Sequence, residues 1–68
     1  MLSESLRNYL VQAAADKIEE GIDPDPEAVE SPEALKCFND TVREMQEYID
    51  KYGIDEFHKV SWDVGYDY

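Results

Sequence analysis

The residues best suited to chemistry are few and widely spaced in this chain. Cys37 is the single cysteine and His58 the single histidine, about twenty positions apart. A nucleophile and its base must lie within hydrogen-bonding reach, and no sequence pattern indicates such a pair here. Carboxylates are plentiful, but a general acid needs a concave, water-poor pocket to shift its pKa. A short helical chain has little room for such a pocket, so we predict that the protein is not an enzyme.

One group of carboxylates has the spacing of a calcium loop. Asp23, Asp25 and Glu27 occupy alternate positions, as the first three ligands of an EF-hand do. The glycine needed at loop position 6 is replaced by Ala28, and the glutamate needed at position 12 by Ala34. The intervening prolines also oppose the curl of such a loop. We therefore predict neither a metal site nor a cofactor.

Charge is the dominant feature of the composition. Seventeen acidic residues against six basic ones give 68 residues a net charge of −11. Phosphate binding depends on Lys and Arg, so this balance argues against direct binding to DNA, RNA or anionic lipid. It favours attraction to positively charged surfaces, and basic proteins are the predicted partners. A solvated acidic surface without a specific role is the alternative interpretation.

The acidic residues are concentrated between Glu19 and Leu35, a stretch without Lys or Arg. Its seven carboxylates are Glu19, Glu20, Asp23, Asp25, Glu27, Glu30 and Glu33. In a polyproline-like chain, residues two apart are separated by roughly 6 Å. The three carboxylates at alternate positions would then be spaced like phosphates along a nucleic-acid strand. This pattern predicts a surface for a nucleic-acid-binding protein; an ordinary polar linker is the alternative.

A second acidic group follows on the next predicted helix. Asp40, Glu44 and Glu47 stand at i, i+4 and i+7, which places them on one helical face, and Arg43 interrupts that face only partly. We include these three carboxylates in the candidate partner-binding surface. A solvated helix face is the simpler interpretation of this group.

The last nine residues, VSWDVGYDY, alternate strictly between apolar and polar positions. That is the period of a half-buried strand, yet the chain offers no second strand for it. The tail could fold back over the helices, pair with the same segment of a second copy, or add to a sheet edge on a target. Aromatic residues are enriched at binding hot spots. The tail's candidate partner-binding residues are Trp62, Asp63, Tyr66, Asp67 and Tyr68.

Capping residues mark the elements that would carry these groups. We predict a helix over about 3–20, an acidic proline linker over 21–30, and a second helix over about 31–52. Ser3 and Ser31 are the expected N-caps, and Gly21 and Gly53 the expected C′ residues. Residues 54–68 are predicted as a short helical turn capped by Asp55, followed by the extended aromatic tail.

Apolar periodicity predicts how the helices pack. The first helix presents Leu6, Tyr9, Leu10, Ala13 and Ile18, widened by Val11 and Ala15. The second presents Leu35, Phe38, Val42, Met45 and Ile49, with Ile54 placed to meet Ile49 in a Schellman ending and Phe57 returning to the core. The 3-4 spacing spans only about two heptads, which favours packing on the first helix or in a four-helix dimer over a coiled coil. The predicted fold is a single all-α domain over 1–68: a two-helix antiparallel hairpin with a short third helical turn and the extended tail.

Composition also indicates a compartment. The single cysteine cannot form an intramolecular disulfide, which is typical of a reducing environment. No stretch approaches the run of about 20 apolar residues that spans a bilayer. The N-terminus lacks the basic start and apolar core of a signal peptide. We therefore expect a cytoplasmic protein without a membrane partner.

In size, in net charge and in the segment EEGIDPDPEAVE, the chain resembles phage-encoded acidic inhibitors, among them anti-CRISPR, anti-restriction and DNA-glycosylase-inhibitor proteins. The resemblance implies an inhibitor that presents carboxylates where its target expects phosphates, acting in the host cytoplasm. Because it rests on general character, it assigns no residue roles. The alternative function is a helical-hairpin adaptor or assembly protein that acts by homodimerisation.

Overall fold

The computed structural model describes residues 2–59, which form three helices and no strand. Helix α1 spans Glu4–Glu20, α2 spans Pro32–Tyr52, and α3 spans Ile54–Lys59. The described part is therefore all-α, as predicted, and both long helices begin within one residue of the predicted positions. The predicted extended tail over 60–68 lies outside the described residues.

Local capping explains where the long helices begin. The Ser3 hydroxyl accepts a hydrogen bond from the Leu6 amide at 3.1 Å, and the Ser31 hydroxyl accepts one from the Ala34 amide at 3.1 Å. Each bond satisfies one of the amides that a helix start leaves unpaired. Helix α1 ends at Gly21, whose left-handed conformation (φ 71°, ψ 19°) suits a residue without a side chain. The predicted N-caps and the Gly21 cap are thus confirmed.

The junction between α2 and α3 differs from the prediction. The Gly53 amide donates to the Ile49 carbonyl at 2.7 Å, but its backbone (φ 94°, ψ 159°) is not left-handed helical. A Schellman ending requires a left-handed residue there, so that prediction is wrong. The prediction that Asp55 caps α3 is also wrong, because α3 begins at Ile54 and the Phe57 amide already bonds to the Gly53 carbonyl at 3.1 Å. The observed conformation at Gly53 is one that essentially only glycine adopts.

Helices α1 and α2 pack against each other, and α3 packs against α2. The core is small and built mainly from aliphatic side chains, with Phe57 as the one buried residue of α3. The buried residues are Leu2, Leu10, Val11, Ala13, Ala14, Ala34, Cys37, Phe38, Thr41, Met45 and Phe57. Leu10, Ala14 and Met45 are completely buried and mark its centre.

Two residues predicted for the apolar faces lie at the surface instead. Tyr9 is 39% exposed and Leu35 is 45% exposed. The buried face of α2 is turned toward Ala34, Cys37 and Thr41, which the apolar stripe did not include. Thr41 is accommodated because its hydroxyl donates to the Cys37 carbonyl at 2.8 Å, so its polar atom is satisfied.

Long-range contacts show the path of the chain. The Asp25 amide bonds to the Tyr9 hydroxyl, so the connection from the end of α1 runs back along that helix. His58 of α3 contacts Glu19, near the end of α1. In a simple antiparallel hairpin the end of α2 approaches the start of α1, so these contacts do not confirm that arrangement.

Candidate partner-binding surface

The acidic residues nominated from the sequence meet at the connection between α1 and α2. We call residues 21–31 the acidic loop; it carries Asp23, Asp25, Glu27 and Glu30, and all four are exposed. Glu20 precedes the loop and Glu33 follows it, and both are also exposed. The fold therefore leaves all six carboxylates exposed, along the segment that joins α1 to α2.

The middle of the acidic loop is folded into a turn. The Asp25 carboxylate accepts the Glu27 amide at 3.0 Å, and the Asp25 carbonyl accepts the Ala28 amide at 2.9 Å. An aspartate that bonds to the backbone two residues on forms an Asx turn. The expectation of an even polyproline-like array over Asp23, Asp25 and Glu27 is therefore wrong at its centre. The Asp25 carboxylate bonds to its own backbone, while the Glu27 side chain remains exposed.

Tyr9 fixes this turn to α1. Its hydroxyl accepts the Asp25 amide at 2.7 Å, across sixteen positions of sequence. The residue lies within α1, with 39% of its surface exposed. The apolar pattern identified Tyr9 only as a core residue. Its role as a loop anchor depends on a contact that no local spacing encodes.

Lys17 fixes the beginning of the loop. Its ammonium group lies 2.6 Å from the Asp23 carboxylate, whose side chain is 81% exposed. This hydrogen bond, reinforced by the positive charge, holds the pKa of Asp23 below its usual value. Asp23 therefore stays ionised at neutral pH. Lys17 stands two positions outside the stretch without cations, which is why the sequence window did not reveal the pair.

The carboxylates next to the loop differ in availability. Glu19 is partly covered and contacts His58, so one of the predicted partner-binding carboxylates already contacts α3. Glu20, Glu27 and Glu30 are exposed, and their charges face solvent. Glu33 lies in the first turn of α2, where the helix dipole favours a negative charge.

The acidic face predicted on α2 presents less exposed negative charge than its spacing indicated. The Asp40 side chain is only 18% exposed and lies between two cations, Lys36 at 3.1 Å and Arg43 at 3.4 Å. Glu44 is half-buried, and Glu47 alone of the three is exposed. Asp40 is thus largely neutralised within its own helix.

Five nominated residues belong to the tail and lie outside the described residues: Trp62, Asp63, Tyr66, Asp67 and Tyr68. Within residues 2–59, no cavity opens and no group of three or more metal-ligating side chains occurs. Cys37 is buried, and this burial raises the pKa of its thiol, with a smaller opposing effect from Thr41. Among the described residues, the exposed carboxylates are therefore the candidate functional groups.

No family model matches the chain, and neither the curated proteins nor the solved structures contain a significant match. Over the described part of the chain, no helix combines the length and the apolar character that crossing a membrane requires.

Proposed function

We propose that this chain is a small acidic inhibitor that occupies the basic, nucleic-acid-binding surface of a target protein. The observation that carries the proposal is the acidic loop itself. Its carboxylates are exposed, and two contacts tie it to α1: the Asp25 amide donates to the Tyr9 hydroxyl, and the Lys17 ammonium group pairs with the Asp23 carboxylate. A phage protein that blocks host or defence machinery in the cytoplasm, as a mimic of DNA, is the setting that fits this chemistry.

Anchoring matters because binding must offset the cost of ordering flexible groups. A loop already held in one conformation loses less conformational entropy when a partner binds. The net charge of −11 also attracts basic partners over a distance and speeds their association. The anchored loop therefore favours a specific acidic ligand over a merely solvated surface.

The carboxylates differ in their expected contribution. Glu20, Glu27 and Glu30 are exposed, and we assign them the largest part in binding. Asp23 contributes less because Lys17 already compensates it, and Asp40 contributes little because two cations flank it. The acidic aromatic tail is proposed as a second contact region, since Trp and Tyr are common hot-spot residues.

A binding experiment in two stages tests this function. The tagged protein is first used to capture partners from bacterial lysate at low salt, and each captured protein is then purified. Affinity is next measured against a salt series, with and without competing duplex DNA. We expect a basic partner whose binding weakens steeply with salt and is lost when DNA is added. A partner whose binding is unaffected by both salt and DNA contradicts the proposal.

Charge-neutralising variants locate the surface. The triple variant Glu20→Gln, Glu27→Gln and Glu30→Gln removes three loop charges without changing side-chain size. Its control removes three exposed or half-exposed charges elsewhere, through Glu4→Gln, Asp16→Asn and Asp55→Asn. Both variants have the same net charge, so long-range attraction falls equally. We expect the loop variant to weaken binding at least about tenfold more than its control. Equal losses would mean that only net charge matters.

A further inference from the structure

One side of α2 is free of charge, in contrast to the rest of this acidic chain. We call this side the neutral stripe; its residues are Leu35, Asn39, Val42, Gln46 and Ile49. They follow each other at intervals of four and three, the spacing that keeps residues on one line along a helix. Leu35 is 45% exposed, Asn39 and Gln46 are exposed, and Val42 and Ile49 are half-buried. The outer part of the stripe therefore faces solvent along about 20 Å of helix.

Charged residues border the stripe in a particular order. Lys36, Arg43 and Asp50 each directly follow one of its aliphatic residues. The two cations are bonded to Asp40, so that group of three charges carries a net positive charge. The start and middle of the border are thus basic, and its end is acidic.

From this order we infer that the neutral stripe binds a second copy of the same chain, with the two α2 helices antiparallel about a two-fold axis near Val42. This axis places Leu35 opposite Ile49 of the second copy. It also places Lys36 opposite Asp50 of the second copy, and symmetry repeats that attraction at the other end. The two Arg43 side chains approach each other near the axis, where Asp40, at 3.4 Å from Arg43 of its own chain, offsets part of their repulsion. A parallel pairing makes no use of these charges, because the charged borders of the two copies then lie on opposite edges of the seam and Lys36 does not meet Asp50.

The charge pattern also favours this occupant over a basic protein. A basic partner finds no carboxylate within the stripe, and along its border meets two cations and one carboxylate, Asp50. A second acidic copy, in contrast, can approach there more easily than on any surface dominated by Asp and Glu. Asn39 and Gln46 supply polar side chains that can hydrogen bond across the axis, as polar residues in helix seams do.

Size and charge set the strength of this association. A single helix face about 20 Å long is smaller than a standard protein interface, so the dimer should be weak. Two chains of net charge −11 also repel each other outside the contact. Added salt screens this repulsion and should strengthen the dimer. That response is opposite to the one expected for a basic partner, so the two associations can be separated.

Two matched variants of the full chain test the surface. Gln46 donates to Asp50 at 3.1 Å on the stripe, and Gln12 donates to Asp16 at 3.2 Å on α1. Gln46→Glu and Gln12→Glu therefore remove the same local hydrogen bond and add the same charge. Only the first change places charge at the proposed contact. The dimer dissociation constant is measured by sedimentation equilibrium, from about ten micromolar to about one millimolar protein. We expect it to be at least about tenfold larger for Gln46→Glu than for Gln12→Glu.

A charge exchange tests the antiparallel pairing. Lys36→Glu and Asp50→Lys each replace an attraction by a repulsion, and each is expected to weaken the dimer about tenfold. The double variant restores attraction with the signs reversed and should recover wild-type association. Circular dichroism confirms that each variant keeps its helices.

The outcomes decide the inference in either direction. A wild-type dimer that is strengthened by salt, disrupted by Gln46→Glu and restored by the double variant supports it. A protein that stays monomeric over the whole concentration range overturns it. A dimer that responds equally to Gln46→Glu and Gln12→Glu, or that the double variant fails to restore, overturns it as well. None of these results bears on the acidic loop, whose variants test the proposed function separately.

Discussion

The anchoring of the acidic loop by Tyr9 gives the most direct prediction. In Tyr9→Phe the ring stays and only the hydroxyl is removed. The Asp25 amide then loses its acceptor at 2.7 Å, while the ring itself is retained. The change therefore isolates one hydrogen bond between α1 and the loop.

The magnitude follows from where this bond lies. A typical intramolecular hydrogen bond contributes about 0.5–1.5 kcal/mol to stability. Both partners are exposed, so water can replace the missing hydroxyl at the Asp25 amide. We therefore expect the free energy of unfolding to fall by about 0.5–1 kcal/mol, at the lower end of that range. The opening of the loop should become easier by a similar amount.

Hydrogen exchange provides the local measurement. A loss of this size should raise the exchange rate of the Asp25 amide roughly 2- to 5-fold, while amides near Met45 change only with global stability. Urea unfolding, monitored by circular dichroism, gives the change in the free energy of global unfolding. If the loop conformation matters for binding, the affinity for the basic partner should fall in the same variant.

Tyr52→Phe is the matched control for this experiment. Tyr52 is 53% exposed and its ring lies beside that of Tyr48, tilted by 46° with centroids 4.7 Å apart, but within residues 2–59 its hydroxyl makes no hydrogen bond. The same chemical change there should leave stability and Asp25 exchange unaltered. If Tyr9→Phe leaves the Asp25 exchange rate equal to that of the wild type, the anchoring role assigned to Tyr9 is refuted.

Three further predictions concern the core and the titrating groups. Met45→Ala should lower the free energy of unfolding by about 2–5 kcal/mol, a large part of the roughly 3–10 kcal/mol expected for a chain of this size. Leu35→Ala should lower it by less than about 1 kcal/mol, because Leu35 is exposed. Urea unfolding of both variants checks this difference. Burial raises the pKa of the Cys37 thiol, so its contribution to stability is present below the ordinary thiol pKa and declines as the pH rises through the raised value. A thiol reagent should accordingly modify Cys37 only as fast as the protein opens, and rapid stoichiometric labelling of the folded protein would contradict its burial. Lys17 lowers the pKa of Asp23, so the small contribution of this pair is present above the ordinary aspartate pKa and is lost as the pH falls through the lowered one. A carboxyl NMR titration should show the Asp23 pKa return to its ordinary range in Lys17→Gln.

The sequence predicts those features that depend on neighbouring residues. Ser3, Ser31 and Gly21 were identified from residue type alone, because a cap satisfies backbone groups within a single helical turn. The two long helices follow from those caps and from their apolar periodicity. Local chemistry therefore accounts for most of the secondary structure.

Features that depend on distant contacts were missed. The burial of Thr41 and the exposure of Leu35 reflect how α2 is rotated against its neighbours, and periodicity alone does not fix that rotation. The bond between Tyr9 and Asp25 joins residues sixteen positions apart, and no motif connects them. The sequence thus located the acidic loop but not its anchors, and it overstated the role of Asp40.

The glycine between α2 and α3 has a consequence for how far this protein can reach. Helix α3 has six residues and one buried side chain, Phe57, so its detachment should require little free energy compared with the unfolding of α1 and α2. The bend at Gly53 allows this element to leave without changing α2. Once detached, residues 54–59 can extend to about 20 Å, roughly twice their length as a helix. A partner bound to the detached α3 is then drawn toward the core when α3 rebinds.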